Sequence, residues 1–436
     1  MADSKPAPED YDLTQKLAKF LDPHMLIPLI NHLAAKNLHT KKELNESKLM
    51  VLGKTNMVDA AMEVHKELHG APPPAMAAKR DEALKALQAL RDEVKPILDL
   101  VTDAARVSEL KAERCYNMGY LSSQLSITPQ HLDALLRYAK AVYEGGDYRA
   151  AADLLAQFRA LTTDAEASFS ALWGKLAGEI LAKNWDGALD DVNALRDAID
   201  ARSSTPPAML LQQRCWLMHW ALFLLGNHQN GRAVVCDLFM QDKYAQALQV
   251  HAPHLLRYLA VAVITNPRRR DKVRDLVRAI AIERPAFSDP ITLILEELFT
   301  HANFEAAQGR LQECAAVLGN DFFLCHSEEL FLKSARLSLF ERYCRIHERI
   351  DLSLLATKLG MERIAAEKWI VKMVSDAQLN AKIDSQSGHV IFGVQPPDVY
   401  QQVIEKTKGL SFRSYVLSQN IEKRAGAAAA AAAAAQ

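Results

Sequence analysis

Few residue groupings in this chain have the types and spacing that known chemistry requires. His65 and His69 stand four apart, a spacing that puts two imidazoles on one helix face, where they can clamp a metal ion. The sequence supplies no third ligand beside them, and the pair reads as surface residues. His251 and His254 flank Pro253 at an expected helix start, where capping or packing is the expected role. Cys325 adjoins His326, Glu328 and Glu329. A nucleophilic thiol needs an imidazole oriented toward it in space, so a neighbour in sequence is a weak sign and Cys325 reads as an ordinary thiol. Gly174 and Gly178 form G-x-x-x-G, but Lys175 and Glu179 remove its membrane meaning and leave close helix packing. No phosphate loop, dinucleotide fingerprint, nucleophile elbow or H-E-x-x-H is present. No enzyme is expected, nor any cofactor or metal.

Charge narrows the choice further. The 436 residues carry 52 Lys+Arg against 53 Asp+Glu, a formal net charge of −1. A broad basic surface for nucleic acid is therefore excluded, though not a local patch. Arg268, Arg269 and Arg270, followed by Lys272, form the one basic cluster. It reads first as a solvated loop, and second as a local contact to mRNA or rRNA phosphate. Six cysteines, none spaced C-x-x-C, suit free thiols in a reducing compartment. The first nine residues hold no apolar signal core, and the uncharged run Cys215–Gly231 is too short to span a bilayer. A soluble, cytoplasmic protein without a membrane role is expected, with a nuclear pool left open.

The elements that must position these residues are helical. Apolar residues at Leu13, Leu17, Phe20 and Leu21, then at Leu26, Leu29, Ile30 and Leu33, keep helical spacing with a break near Asp22-Pro23. After the stiff run Ala71–Pro74, a charged helix is expected from Ala78 to about Val94, ending at Pro96. A short pattern then recurs: a turn residue, a large apolar residue, a small Ala three on and an apolar residue four further. The copies are Asp147-Tyr148 with Ala151 and Leu155, Asn184-Trp185 with Ala188 and Val192, and Asn303-Phe304 with Ala307 and Leu311. Asn56-Met57 with Ala60 and Val64 is a fainter fourth. The turn reverses the chain between two helices and the Ala lets them approach, as in the second half of a tetratricopeptide repeat. The run Met209–Leu225 is apolar on most faces and should be buried.

After Arg349 the texture changes. Asp351 can cap a helix from Leu352 to Leu359 that Gly360 terminates, and a second helix follows from about Glu362 to Ser375. Leu379–Asp384, the turn Gln386–Gly388 and His389–Phe392 then read as a two-stranded hairpin. That order is a winged helix. In its candidate recognition helix Arg363, Lys368 and Lys372 are balanced by Glu362, Glu367 and Asp376, so protein-facing use is favoured over reading DNA. The last element carries Tyr400, Val403, Ile404, Leu410, Leu417 and Ile421, a broken apolar stripe that needs a partner. Nine alanines after Gly426 hold helix propensity and no information; they read as placeholder sequence.

The expected fold is thus mainly α: a right-handed, tetratricopeptide-like helical-repeat solenoid, a C-terminal winged helix and a terminal bundle helix. The expected boundaries are a disordered 1–9, helical repeats over 10–205 and 206–349, the winged helix over 350–395, the bundle helix over 400–424 and an alanine-rich 425–436. A helical stack leading into a winged helix resembles the PCI family, named for the proteasome lid, the signalosome and an initiation factor.

The similarity is narrower still to the e-subunit branch within eukaryotic translation initiation factor three. It is carried by Tyr11–Thr14 (YDLT), Phe20–His24 (FLDPH), Thr55–Asp59 (TNMVD), Leu172–Ala177 (LWGKLA), Gln212–Trp220 (QQRCWLMHW), Pro253–Tyr258 (PHLLRY) and Asn320–Leu324 (NDFFL). Ala381–Ser385 (AKIDS) with Gly388–Val390 (GHV), and Gln402–Lys408 (QVIEKTK) with Leu410–Ser414 (LSFRS), carry it furthest. The alanine tail departs from the family's own C-terminal sequence. The resemblance implies a non-catalytic scaffold subunit of a factor that binds the small ribosomal subunit and helps recruit mRNA. It implies pairing with the c subunit through the winged helix, a contact to the d subunit and neighbours in a helical bundle. On the residues, Lys382, Ile383 and Asp384 with Val390, Ile391 and Phe392 are expected to offer a sheet edge to a partner. Other readings are a PCI subunit of the signalosome or proteasome lid, and a winged-helix nucleic-acid binder.

Overall fold

A computed structural model describes residues 11–125, 127–202, 205–266, 271–347, 349–351, 364, 367–368, 370–372, 381–384, 389–392 and 399–433. The chain divides into two units, Met1–Leu339 and Phe340–Gln436. The first opens with α1 (Thr14–Leu17), α2 (Pro23–Lys36), α3 (Lys41–Leu52), α4 (Val58–His69), α5 (Pro74–Thr102), α6 (Ala104–Ala112) and α7 (Met118–Leu125). It continues with α8 (Pro129–Glu144), α9 (Tyr148–Leu161), α10 (Ala165–Leu181), α11 (Trp185–Ala201), α12 (Pro207–Asn227), α13 (Gly231–Phe239) and α14 (Asp242–His251). The last helices are α15 (Leu256–Thr265), α16 (Val273–Glu283), α17 (Pro290–Glu296), α18 (Phe304–Asn320) and α19 (Glu328–Ile346), the last crossing the division.

The recurring turn pattern is a helix start. Asp147, Asn184 and Asn303 are the N-caps of α9, α11 and α18, and their side chains accept from the N–H groups of Ala150, Gly187 and Ala306. Before each cap stands one left-handed residue: Gly146 (φ 100°), Lys183 (φ 60°) and Ala302 (φ 52°). Ala151, Ala188 and Ala307, one turn into each helix, are fully buried. The fourth copy is shifted by one residue. Met57 takes the cap position of α4, and Ala61 rather than Ala60 is the buried small residue. Asn56 is drawn away by a hydrogen bond from its Nδ2 to Glu144 Oε2 at 2.7 Å.

The G-x-x-x-G segment packs as expected. A Cβ on Gly178 would stand 2.9 Å from the Tyr148 carbonyl oxygen and 3.1 Å from Ala152 Cβ, so α10 crosses α9 at a distance only glycine permits. Pro96, in contrast, does not end its helix. α5 runs through it to Thr102, because Val94, Ile97 and Leu100 pack into a core with Leu132, Leu135, Leu154 and Phe158 that outweighs the lost hydrogen bond.

The main core joins distant parts of the first unit. Leu13, Leu17, Leu21, Met25 and Leu29 pack in one cluster with side chains from α10 through α19. Trp220 Nε1 donates to the Phe20 carbonyl at 3.0 Å and Arg257 Nη2 to the Tyr11 carbonyl at 2.8 Å. The N-terminal segment is therefore a strap across the later helices. The core is continuous across 205/206, so the division expected there is not one between compact bodies; the strap and the buried α12 tie both sides together.

In the second unit, β1 (Arg349–Asp351), β2 (Ala381–Asp384) and β3 (His389–Phe392) form an antiparallel sheet in the order β1-β3-β2. The expected hairpin is present with Ile383 opposite Val390, and β1 is an additional strand on its other side. The long helix α20 (Val399–Ala433) runs on into the alanines, the residue with the highest helix propensity. The helices expected at 352–359 and about 362–375 fall largely outside the described residues, as do residues 1–9 and Arg268, Arg269 and Arg270.

Candidate partner interface

The helix α20 carries the largest exposed apolar surface among the described residues. Val403, Leu410 and Leu417 recur at seven-residue intervals, and Tyr400 and Ile421 fall beside them on the same face. None is covered: Leu410 is 64% exposed, Leu417 62% and Ile421 65%. Ile404 lies one helical row over and is also exposed. Three further exposed apolar side chains, Phe412, Tyr415 and Val416, escaped the sequence reading; Tyr415 extends the row of Ile404, whereas Phe412 and Val416 fall toward the far side of the helix. Tyr415 stands eleven residues after Ile404, three helical turns on, and that spacing was the signal for it. Thr407, Ser411, Ser414 and Ser418 run down the middle of the face at the same spacing. The Thr407 hydroxyl donates to the Val403 carbonyl at 2.7 Å, so a partner helix can cover it without stranding a donor. Each large apolar side chain withdrawn from water contributes about 1.5–3 kcal/mol, which makes this face adhesive.

The sheet offers a different edge from the one expected. β3 lies between β1 and β2, so Val390 and Ile391 are paired on both sides and cannot extend the sheet, whereas Phe392 is paired with Ala381 of β2 alone. Val390 is buried. The reason is β1, whose Arg349–Asp351 occupies the side of β3 that the hairpin alone would leave open. Among the described residues the outer strands of the sheet are β1 and β2, the latter with Lys382, Ile383 and Asp384.

The groups considered for chemistry fall elsewhere. His65 and His69 lie with ring centroids 4.7 Å apart and planes tilted by 49°, and no group of three His, Cys, Asp or Glu among the described residues is placed to hold a metal. Cys325 Sγ lies 3.1 Å from His326 Nδ1, but burial pushes the thiol up, against the activation a nucleophile needs. His254 is a core residue. Its Nε2 sits 2.9 Å from Nε2 of His219, whose Nδ1 is 2.6 Å from the Cys215 carbonyl and donates to it. Phe20 stacks on the His219 ring. Burial lowers His219 to about 4; burial together with His219 and nearby Lys16 lowers His254 to about 3. Both are neutral at ordinary pH and serve packing.

A cleft of about 1000 Å3 between α5, α6, α8 and α9 is lined by Leu98, Tyr138 and Leu154 with Arg91, Lys111 and Asp153. Lys111 is turned to Gln157 there, and no nucleophile stands beside a base. Among the described residues no single helix is long and apolar enough to cross a membrane.

Comparison with known proteins covers nearly all of the chain. Residues 12–141 match the family described as eIF3 subunit 6 N terminal domain, and residues 311–394 match the PCI domain. Residues 399–418 match the C-terminal family of the E subunit of eukaryotic translation initiation factor 3. The E subunit of eukaryotic translation initiation factor 3 from Arabidopsis thaliana is 42% identical over 422 residues, 94% of this chain and 96% of the relative. The proteins of the same name from Bombyx mori and Yarrowia lipolytica are 40% and 39% identical, over 95% and 94% of this chain and 96% and 99% of their own lengths. The last family match begins at the first residue of α20 and ends one residue past Leu417, so it coincides with the exposed seam.

Proposed function

Because the chain belongs to the E-subunit family of eukaryotic translation initiation factor 3, we propose that it is a non-catalytic scaffold subunit of that factor and works through the surfaces described above. The observation that carries this reading is α20. A helix with Val403, Leu410, Leu417 and Ile421 facing water is a liability in an isolated chain and an asset in a bundle of subunit helices. The neighbours in that bundle are other subunits of the factor.

The finer assignments follow from the same reading. Helical repeats form a tetratricopeptide-like solenoid over 10–349, with the winged helix at 350–395 and the bundle helix at 400–424. The β2 edge at Lys382–Asp384 pairs with the c subunit, and the d subunit is a further contact. The assembled factor, in the cytoplasm, meets the small ribosomal subunit and promotes mRNA recruitment, with Arg268–Arg270 as a local contact to RNA.

Co-expression with the other subunits tests the assignment. Leu410→Asp with Leu417→Asp should leave the chain folded, since both positions are exposed, and release it from the co-purified complex. Unchanged assembly would remove α20 from the interface.

A further inference from the structure

The apolar seam of α20 carries charge on one margin only. At about 100° per residue, Lys406 and Arg413 fall roughly 45–65° to one side of the line through Val403, Leu410, Leu417 and Ile421, and Arg424 falls on the row of Lys406. All three cations are exposed. Across the seam the matching margin holds Ile404, Ser411 and Ser418, without charge. Written as heptads with Val403, Leu410 and Leu417 at d, the two margins are the g and e positions, where charges select a partner helix. The stretch 399–424 contains two acids, Glu405 and Glu422, and neither falls on the cationic margin.

We propose that the partner this seam takes is an acidic amphipathic helix of another chain, with Asp or Glu beside its own apolar stripe where it meets Lys406 and Arg413. This rests on the bundle reading and adds the chemistry of the neighbour. Charge argues against a second copy of this chain. In a parallel pair Lys406 and Arg413 would face Ser411 and Ser418, and in an antiparallel pair they would face each other, so neither arrangement supplies an acid. A phosphate backbone would neutralise the cations and leave Leu410 and Leu417 in water beside them. An anionic membrane would have to bury Thr407 and Ser414 between the apolar rows, and it would meet Glu422 on the row of Ile404. An acidic helix covers the apolar rows and neutralises their cationic margin together.

The test uses the co-expressed complex. Lys406→Glu with Arg413→Glu sets like charges against the partner's acids and should speed loss of the chain from the immobilised complex at least roughly tenfold. Lys406→Arg with Arg413→Lys should restore the parental rate. Lys406→Gln with Arg413→Gln should remove most of the acceleration that added NaCl gives the parent. A carbodiimide, which takes up the water released when a lysine amine condenses with a carboxylate, should join Lys406 to an Asp or Glu in a helix of a neighbouring subunit. Peptide mass spectrometry reads the site, and Lys406→Arg should lack the product. A parental rate in the Glu pair would overturn the proposal, as would a Lys406 cross-link confined to a second copy of this chain. Normal assembly of the Glu pair with loss of binding to an RNA hairpin or to anionic phospholipid vesicles would assign the margin to phosphate instead. Failure of the bundle reading is separate: it appears as a complex that retains the chain with Leu410→Asp and Leu417→Asp.

Discussion

Arg257 Nη2 donates to the main-chain carbonyl of Tyr11 at 2.8 Å, across 246 residues of sequence. The same guanidinium meets Asp289 at 2.8 Å and Asp321 at 3.2 Å, and the Tyr258 hydroxyl donates to Asp321 at 2.9 Å. Burial works against the charge of Arg257, but Asp289 and Asp321 outweigh it and keep the group firmly protonated. Burial also pushes Asp289 up, which Arg257 opposes.

Arg257→Met should therefore cost about 3–5 kcal/mol, because two carboxylates stay buried without their counter-charge. Urea denaturation measures the loss, and limited proteolysis should show cleavage within residues 11–21 before global unfolding. A strap that stays protected in the variant would mean that Leu13, Leu17 and Leu21 hold it without Arg257.

The His219–His254 pair sets a pH dependence. Both folded pKa values lie below the ordinary 6.5, near 4 and 3. As pH falls, the unfolded chain takes up protons first. Stability from this pair is complete above about pH 6.5 and is lost as pH drops toward 4, by up to about 1.4 kcal/mol per pH unit for each histidine. Urea midpoints measured from pH 7 to pH 4.5 should fall less steeply in His254→Gln than in the parent. Equal slopes would show that the carboxylates, not this pair, set the acid response.

Gly178→Val should destabilise the first unit by about 1–3 kcal/mol through overpacking. The added atoms meet the Tyr148 carbonyl and Ala152 Cβ, both on the backbone side of α9. Gly309 is the matched control, since a Cβ there would meet nothing within 4 Å. Gly309→Ala should gain stability from helix propensity. Thermal melts of the two variants should move in opposite directions.

Ala302→Gly should stabilise by about 1 kcal/mol, since Ala302 holds φ 52° in the turn before α18 and glycine adopts that conformation freely. A neutral or negative shift in melting temperature would mean that added freedom in the unfolded chain cancels the relief.

Local chemistry made the helix starts legible. Asp147, Asn184 and Asn303 cap through atoms three residues away, and a short window contains the whole interaction. Residues of the exposed seam were legible for the same reason, because helical spacing reveals an apolar face whether or not anything covers it. The clamp of Arg257 on Tyr11 was not, since nothing near Arg257 in sequence announces a carbonyl 246 residues earlier. β1 escaped for a related reason. Arg349–Asp351 is three residues long and acquires its identity only by pairing with His389–Ile391. That pairing takes up the side of β3 at Val390 and Ile391 that the hairpin alone leaves open.

The strap also sets an order of events during synthesis. Chains emerge from the N-terminus at about 5–20 residues per second, so the strap waits roughly 10–50 s before Arg257 is available to hold it. During that interval the core that Leu13, Leu17 and Leu21 enter is incomplete, and its latest contributors, such as Phe331 and Ala335, come later still. The first segment made is among the last to be secured. A truncated nascent chain of this protein, stalled before residue 257, is therefore an open structure with sticky leucines at its leading end, the state a chaperone would have to shield.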